Sequence, residues 1–222
     1  MKRIVLVHTV KSVYDSFETE LRKVLGPGVK INNILDDFLA TDPADTGLFS
    51  QNNTERLMHD LKSAQMTGAD LLVVTCSTLT PHVVKLRQFF SVPIVAIDDA
   101  MCKAAVRNSS RITVLATAES TVNPTLEKLL AEATIQNKKI ELSSYCCPQA
   151  IVALKEGNKE KHDELVLHMA MQVSGSECIV LAQASMAHMQ DTVQQRTGVQ
   201  TFSSPRLCMQ EIASRLEDSN GL

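Results

Sequence analysis

The chain reads as an α/β protein of two pseudo-symmetric halves, each with a mostly parallel sheet flanked by helices. Two observations lead there. Short apolar runs alternate with helical periods along all 222 residues, the pattern of layered β and α elements. One such run also recurs. Gly68-Ala69-Asp70-Leu71-Leu72-Val73-Val74-Thr75-Cys76-Ser77-Thr78-Leu79 aligns without a gap on Gly175-Ser176-Glu177-Cys178-Ile179-Val180-Leu181-Ala182-Gln183-Ala184-Ser185-Met186, an offset of 107 positions. Arg3-Ile4-Val5-Leu6-Val7 aligns on Arg111-Ile112-Thr113-Val114-Leu115 at an offset of 108. A nearly constant offset marks a repeated unit.

Strands are predicted near 3–8, 29–34, 70–75 and 93–97 in the first half, and near 111–116, 139–145, 178–182 and 200–203 in the second. Helix 52–66 carries Leu57, Leu61 and Ala64 on one face and stops at Gly68. Helix 159–173 carries Leu165, Met169 and Val173 and stops at Gly175, the same helix stop before the same strand. The crossing Ile97-Asp98-Asp99-Ala100-Met101-Cys102 starts a helix linking the halves, and a last helix near 206–217 returns to the first. The expected division is 1–97 plus 206–222 for one half and 98–205 for the other.

Composition narrows the function. The net charge of −3 offers no electrostatic footprint for nucleic acid, so the expected partner is a small molecule. No apolar run reaches the length of a membrane span, and Met1-Lys2-Arg3 leads into a strand rather than a signal peptide. A cytoplasmic location without membrane partners is expected. The six cysteines, scattered through a chain large enough to hold a core, read as reduced thiols. No CxxC or HExxH spacing occurs, so no metal is expected. Phosphate loops such as GxGxxG and GxxxxGK are absent and aromatic residues make up only 4%, which leaves little to hold a flavin, so no cofactor is expected.

Ligands of parallel α/β sheets bind beyond the carboxyl ends of the strands. His8 and Thr9 follow the first strand, and Thr117, Ser120 and Thr121 follow its counterpart. Cys76, Ser77 and Thr78 follow the third strand, mirrored by Gln183 and Ser185. Thr80 is read as a helix N-cap and Pro81 as the first helical residue, which puts Cys76 beside backbone N–H donors that favour a thiolate. The hydroxyls and turn amides suit a carboxylate or similar small anion. The same hydroxyls also serve as helix caps, and the two roles are compatible. Cys178 lies five positions before Gln183, about 15 Å away at strand rise. Asp36 and Asp37 read as loop caps, and His188 as a hydrogen-bonded turn or helix histidine.

Four segments carry a family resemblance: Val74-Thr75-Cys76-Ser77-Thr78, Val92-Pro93-Ile94-Val95-Ala96-Ile97-Asp98-Asp99-Ala100, Val114-Leu115-Ala116-Thr117-Ala118-Glu119-Ser120-Thr121 and Leu181-Ala182-Gln183-Ala184-Ser185-Met186. In order and spacing they resemble the aspartate/glutamate/hydantoin racemase superfamily of cofactor-independent enzymes. The resemblance implies an active cleft between the halves, a homodimer, and two cysteines facing each other across the substrate's α-carbon. Cys76 matches the first cysteine, but Gln183 occupies the second place. A neutral amide is neither a useful acid nor a useful base near neutrality, and the unactivated hydroxyl of Ser185 does not replace a thiol.

The expectation is therefore one-cysteine chemistry at the α-carbon of a small carboxylate-bearing substrate, of isomerase or decarboxylase type. Cys76 would act as base, acid or nucleophile, and Gln183 would donate a hydrogen bond to a substrate oxygen. His8, Thr9, Ser77, Thr78, Thr117, Ser120, Thr121 and Ser185 are the expected substrate-binding residues. Two alternatives stay open: ordinary racemisation of an amino acid or hydantoin, and a non-catalytic protein that binds a small acid.

Overall fold

Val5, Leu6 and Val7 are apolar in succession because their strand is covered on both faces, as strands of parallel α/β sheets are. The computed structural model describes residues 1–218 and divides them into two units, Met1–Ile97 with the chain from Arg206 onward, and Asp98–Pro205. Residues 219–222, expected to close the first half, lie outside the described residues.

The first unit runs β1 (Lys2–His8), α1 (Lys11–Leu25), β2 (Val29–Leu35), α2 (Phe38–Thr46), α3 (Gln51–Met66), β3 (Leu71–Val74), α4 (Thr80–Leu86) and β4 (Ile94–Ala96). The second runs α5 (Asp99–Asn108), β5 (Arg111–Ala116), α6 (Glu119–Ile135), β6 (Glu141–Cys146), α7 (Pro148–Lys155), α8 (Lys159–Ala170), β7 (Cys178–Leu181), α9 (Gln190–Thr197) and β8 (Gln200–Ser203). Helix α10 (Ser204–Asp218) begins at the end of the second unit and continues into the first. The sheets are ordered β2-β1-β3-β4 and β6-β5-β7-β8, and every pairing is parallel.

Register makes the repeat physical. Ile4 pairs with Leu71 and Val7 with Val74 in the first sheet. Ile112 pairs with Cys178 and Leu115 with Leu181 in the second. Those second-sheet pairs are the first-sheet pairs displaced by the two sequence offsets. In the first unit the apolar stripe of α3, with Leu57, Leu61 and Ala64, covers Val5, Val7, Leu72 and Val74. In the second, Val166 and Met169 of α8 pack with Ile179 and Leu181.

Two helix boundaries depart from the sequence reading. Helix α8 ends at Ala170 rather than near 173, because Gln172 and Val173 donate to Met169 and Ala170 three residues back and unwind the last turn. Gly68 and Gly175 nonetheless play the same part, since both take left-handed backbone, φ of 72° and 71°, just before β3 and β7. Thr80 is not an N-cap but the first residue of α4, with Leu79 in the cap position. A 3-10 turn at Ser77–Leu79, closed by Leu79 N–H donating to the Cys76 carbonyl at 3.1 Å, winds the chain before the helix starts.

The second unit also encloses a charged group. Lys128 Nζ lies 2.7 Å from Asp99 and 3.3 Å from Glu132, bridging α5 and α6, and all three side chains are almost fully buried. Burial pulls the ammonium pKa down, but Asp99 and then Glu132 outweigh it and hold the pKa above the ordinary lysine value. Removing the cation would take from two buried carboxylates the counter-charge they share. Lys128→Ala is expected to lower the unfolding free energy in urea by about 3–5 kcal/mol. A raised folded pKa makes the Lys128 contribution full below the unfolded value of about 10.4 and lost as pH rises through the folded value. The deficit of the variant should accordingly shrink only in strongly alkaline buffer.

Candidate functional site

In the first unit, the carboxyl edge of the sheet is organised by a chain of hydrogen bonds that ends beside Cys76. Asn33 on β2 donates its amide to Glu18, which directs its carbonyl oxygen toward His8 Nε2 at 3.1 Å. His8 must therefore be the donor at Nε2, and Nδ1 is left to accept from the Thr75 hydroxyl at 2.7 Å. Tyr14 and Phe17 pack their rings edge-on against His8, at 5.4 and 6.4 Å. Burial lowers the His8 pKa against the raising effects of Asn33 and Glu18, which keeps the imidazole neutral. Both ring nitrogens are engaged with protein, so His8 ties β1, β2 and β3 together directly behind the edge.

Beyond that tie, the β1·β3 register ends with Val7 opposite Val74, and Thr9 and Cys76 each follow two residues later. Thr9 is buried, and its hydroxyl has no hydrogen-bond partner among the described residues. A buried hydroxyl without a partner is an uncompensated cost unless something arrives to meet it. Cys76 is half-buried, in the cap position of the 3-10 turn, with extended backbone and with part of its surface against the core. Ser77 is buried and Thr78 half-buried in the same turn.

At the carboxyl edge of the second unit, the corresponding pair is closed. Thr117 N–H donates to Gln183 Oε1 at 2.6 Å, and the Thr117 hydroxyl reaches the same oxygen at 3.2 Å. The N–H needs an acceptor, which fixes the amide's orientation and leaves its NH₂ as the side chain's remaining polar group. Thr121 is buried and spends its hydroxyl on the Ala118 carbonyl at 2.7 Å. Ser120 is exposed in the first turn of α6, and Ser185 is half-buried in the 3-10 turn Ala184–Met189. Thr9, Cys76, Ser77 and Thr78 thus gather at one edge, and Thr117, Gln183, Ser120, Thr121 and Ser185 at the other.

Four of the other five thiols differ from Cys76 in setting. Cys102, Cys178 and Cys208 are buried. Cys178 is pushed up to about 12 by burial, against the lowering effect of a Ser109 hydrogen bond. Cys146 ends β6 at the second unit's edge, and burial with a hydrogen bond to Glu119 pushes it up to about 12. That neighbour was not visible in the sequence, although position at a strand's end was a usable signal. A cavity of about 620 Å³ in the first unit lies at the other end of the strands, against Lys2, Val29 and Asp70. It has no part in this edge.

Asp36 and Asp37 do not act as side-chain caps. Asp36 pairs with Arg56 of α3, and Asp37 holds the cap position of α2 without a side-chain cap bond. Asp60, one turn beyond Arg56, is pushed up to about 6, first by burial and then by the charge of Asp36.

A sequence model of the family described as Asp/Glu/Hydantoin racemase matches residues 4–212. The chain belongs to this family. No curated protein gives a significant match. Among solved structures, the chain is similar to a glutamate racemase isoform from Bacillus anthracis, with TM-score 0.76, 14% identity, and 98% of this chain and 82% of that chain covered. It is also similar to the allantoin racemase of Klebsiella pneumoniae, with TM-score 0.71, 16% identity and coverages of 99% and 89%. Picrophilus torridus aspartate racemase gives TM-score 0.67, 11% identity and coverages of 97% and 94%. At such identities the likeness is one of fold. No helix among the described residues is long and apolar enough to cross a membrane.

Two outcomes follow from this geometry. Brief alkylation of the native protein, read by peptide mass spectrometry, should modify the half-buried Cys76 and Cys147 ahead of the buried Cys102, Cys178 and Cys208. Asp60→Asn should stabilise the protein at pH 7–8 by about 1 kcal/mol once solvent screening is allowed for. With a raised folded pKa, the Asp60 contribution is full below the unfolded value and lost as pH rises through about 6. The gain from the variant should therefore fade on acidification through that range.

Proposed function

We propose that the chain is a cofactor-independent enzyme in which Cys76 alone performs proton or covalent chemistry at the α-carbon of a small carboxylate-bearing substrate. Its reaction is of isomerase or decarboxylase type. The observation that carries the reading is the contrast between the two edges. At the edge that carries the half-buried Cys76, the Thr9 hydroxyl has no hydrogen-bond partner among the described residues, whereas at the edge of the second unit Thr117 is already bound by Gln183.

In this reading the thiolate of Cys76 exchanges the α-proton of a saturated acid with retention, through an enediolate reprotonated on the same face. In an isomerisation it instead adds to the double bond of an unsaturated acid: the π pair passes into the conjugated carboxylate as an enediolate, the former double bond rotates, and expulsion of the thiolate re-forms the double bond in the other geometry. In a decarboxylation the pair comes instead from the bond to the departing carbon dioxide. Cys76 then protonates the enediolate carbon and recovers its proton from solvent. Gln183 NH₂ contributes a hydrogen bond to a developing oxyanion, electrostatic help without proton transfer. Thr9, Ser77, Thr78, Ser120 and Ser185 supply hydroxyls and turn amides for the substrate's carboxylate, Thr117 and Thr121, already engaged with Gln183 and Ala118, shape the second edge, and His8 positions the Cys76 turn through Thr75.

Proton NMR in D₂O tests this with aspartate, glutamate, substituted hydantoins, maleate and 2-substituted malonates, each with native protein and with Cys76→Ala. The expected result is α-deuteration, isomerisation or carbon dioxide loss for at least one compound, abolished in Cys76→Ala. Turnover that survives the substitution would remove Cys76 from the chemistry. Saturable binding without turnover across the panel would favour the small-acid binding protein.

A further inference from the structure

Away from the strand edges, the second unit brings three metal-ligating side chains together. His162 and Asp163 are the fourth and fifth residues of α8, and His188 lies in the 3-10 turn Ala184–Met189. His162 Nδ1 and His188 Nε2 are each 2.7 Å from one and the same oxygen, Asp163 Oδ1. The two imidazoles stack with centroids 5.8 Å apart and planes inclined by 30°. All three ligand atoms lie within 4.8 Å of one another.

We propose that His162, Asp163 and His188 form a binding site for a divalent transition-metal ion of the zinc type. Two imidazole nitrogens and one carboxylate oxygen are the donors that such ions take. Donors bound at about 2.0–2.2 Å to one ion stand no more than about 4.4 Å apart. The present spacing therefore needs only small side-chain rotations. Burial works to raise Asp163, but the hydrogen bonds from His162 and His188 hold it below the ordinary carboxylate range, so the oxygen carries its charge at neutral pH.

Entry of the ion is a tautomer exchange. Each histidine now points an N–H at Asp163; to ligate, His162 moves its proton from Nδ1 to Nε2, and His188 moves its proton from Nε2 to Nδ1. His162 Nε2 is buried without a hydrogen-bond partner among the described residues, so the shift breaks no existing bond on that side, and metal binding must offset the cost of a buried N–H there. His162 is fully buried and serves as the fixed anchor, while the Asp163 and His188 side chains are 27% and 35% exposed and admit the ion with its remaining waters. His188 stands five residues after Gln183. An ion here would tie the turn that follows Gln183 to α8.

The test is cobalt(II) titration of tag-free, chelator-treated full-length protein by visible absorption, with zinc(II) competition and thermal unfolding alongside. The expected result is one ion per chain, ligand-field bands without a thiolate charge-transfer band, and a Tm that rises with zinc. His188→Ala and Asp163→Asn, both at accessible side chains, should each weaken binding by at least ~10-fold while the metal-free variants keep the native circular dichroism. Absence of stoichiometric uptake would overturn the site. So would uptake that survives both substitutions, or a thiolate band that assigns the ion to cysteine.

Discussion

The parallel pairing of the first and third strands in each unit is the constraint on which the candidate site depends. Because β1 and β3 run side by side in fixed register, the residues just past Val7 and Val74 emerge together, and the same holds past Leu115 and Leu181. Covered faces make the strands apolar throughout, which concentrates polar chemistry at their ends. A slip of one residue would turn Cys76 toward the opposite face of its sheet. The half-buried Glu18 and Asn33 and the buried His8 and Thr75 guard against that slip with polar bonds linking three adjacent strands.

Within this shared frame, one residue type separates the two edges. At the edge with the thiol the buried Thr9 hydroxyl has no partner among the described residues, while at the other an amide closes the Thr117 position with two hydrogen bonds to one oxygen. The amide is rigidly oriented and can only donate from its free end. Family membership makes α-carbon acid–base chemistry the natural starting point, and the closed edge is the reason for proposing a one-sided form of it.

Much of this was legible in the sequence, because repeats and strand ends are local signals. The offsets of 107 and 108 pointed to the registers, and Cys76, Gln183, Thr9 and Thr117 were found by their place after strands. What was not legible depends on contacts distant in sequence. The burial of His8 comes from Tyr14 and Phe17 on α1, and its tautomer from Asn33 on β2. Asp36 finds Arg56 only because α3 packs beside the end of β2. His162 and His188 share no spacing motif, so the expectation of no metal rested on patterns that this cluster does not use. The early end of α8 was hidden for a similar reason: its last turn is unwound by bonds that periodicity does not report.

The most direct measurement of the central claim is stereochemical: the configuration of recovered, deuterated substrate, compared between the native protein and Gln183→Cys. One-sided chemistry requires retention in the native protein, and a thiol introduced at position 183 should open a route to inversion. Inversion already present in the native protein, at a rate comparable to exchange, would contradict the account, because a second proton donor would then be acting without a cysteine at that position.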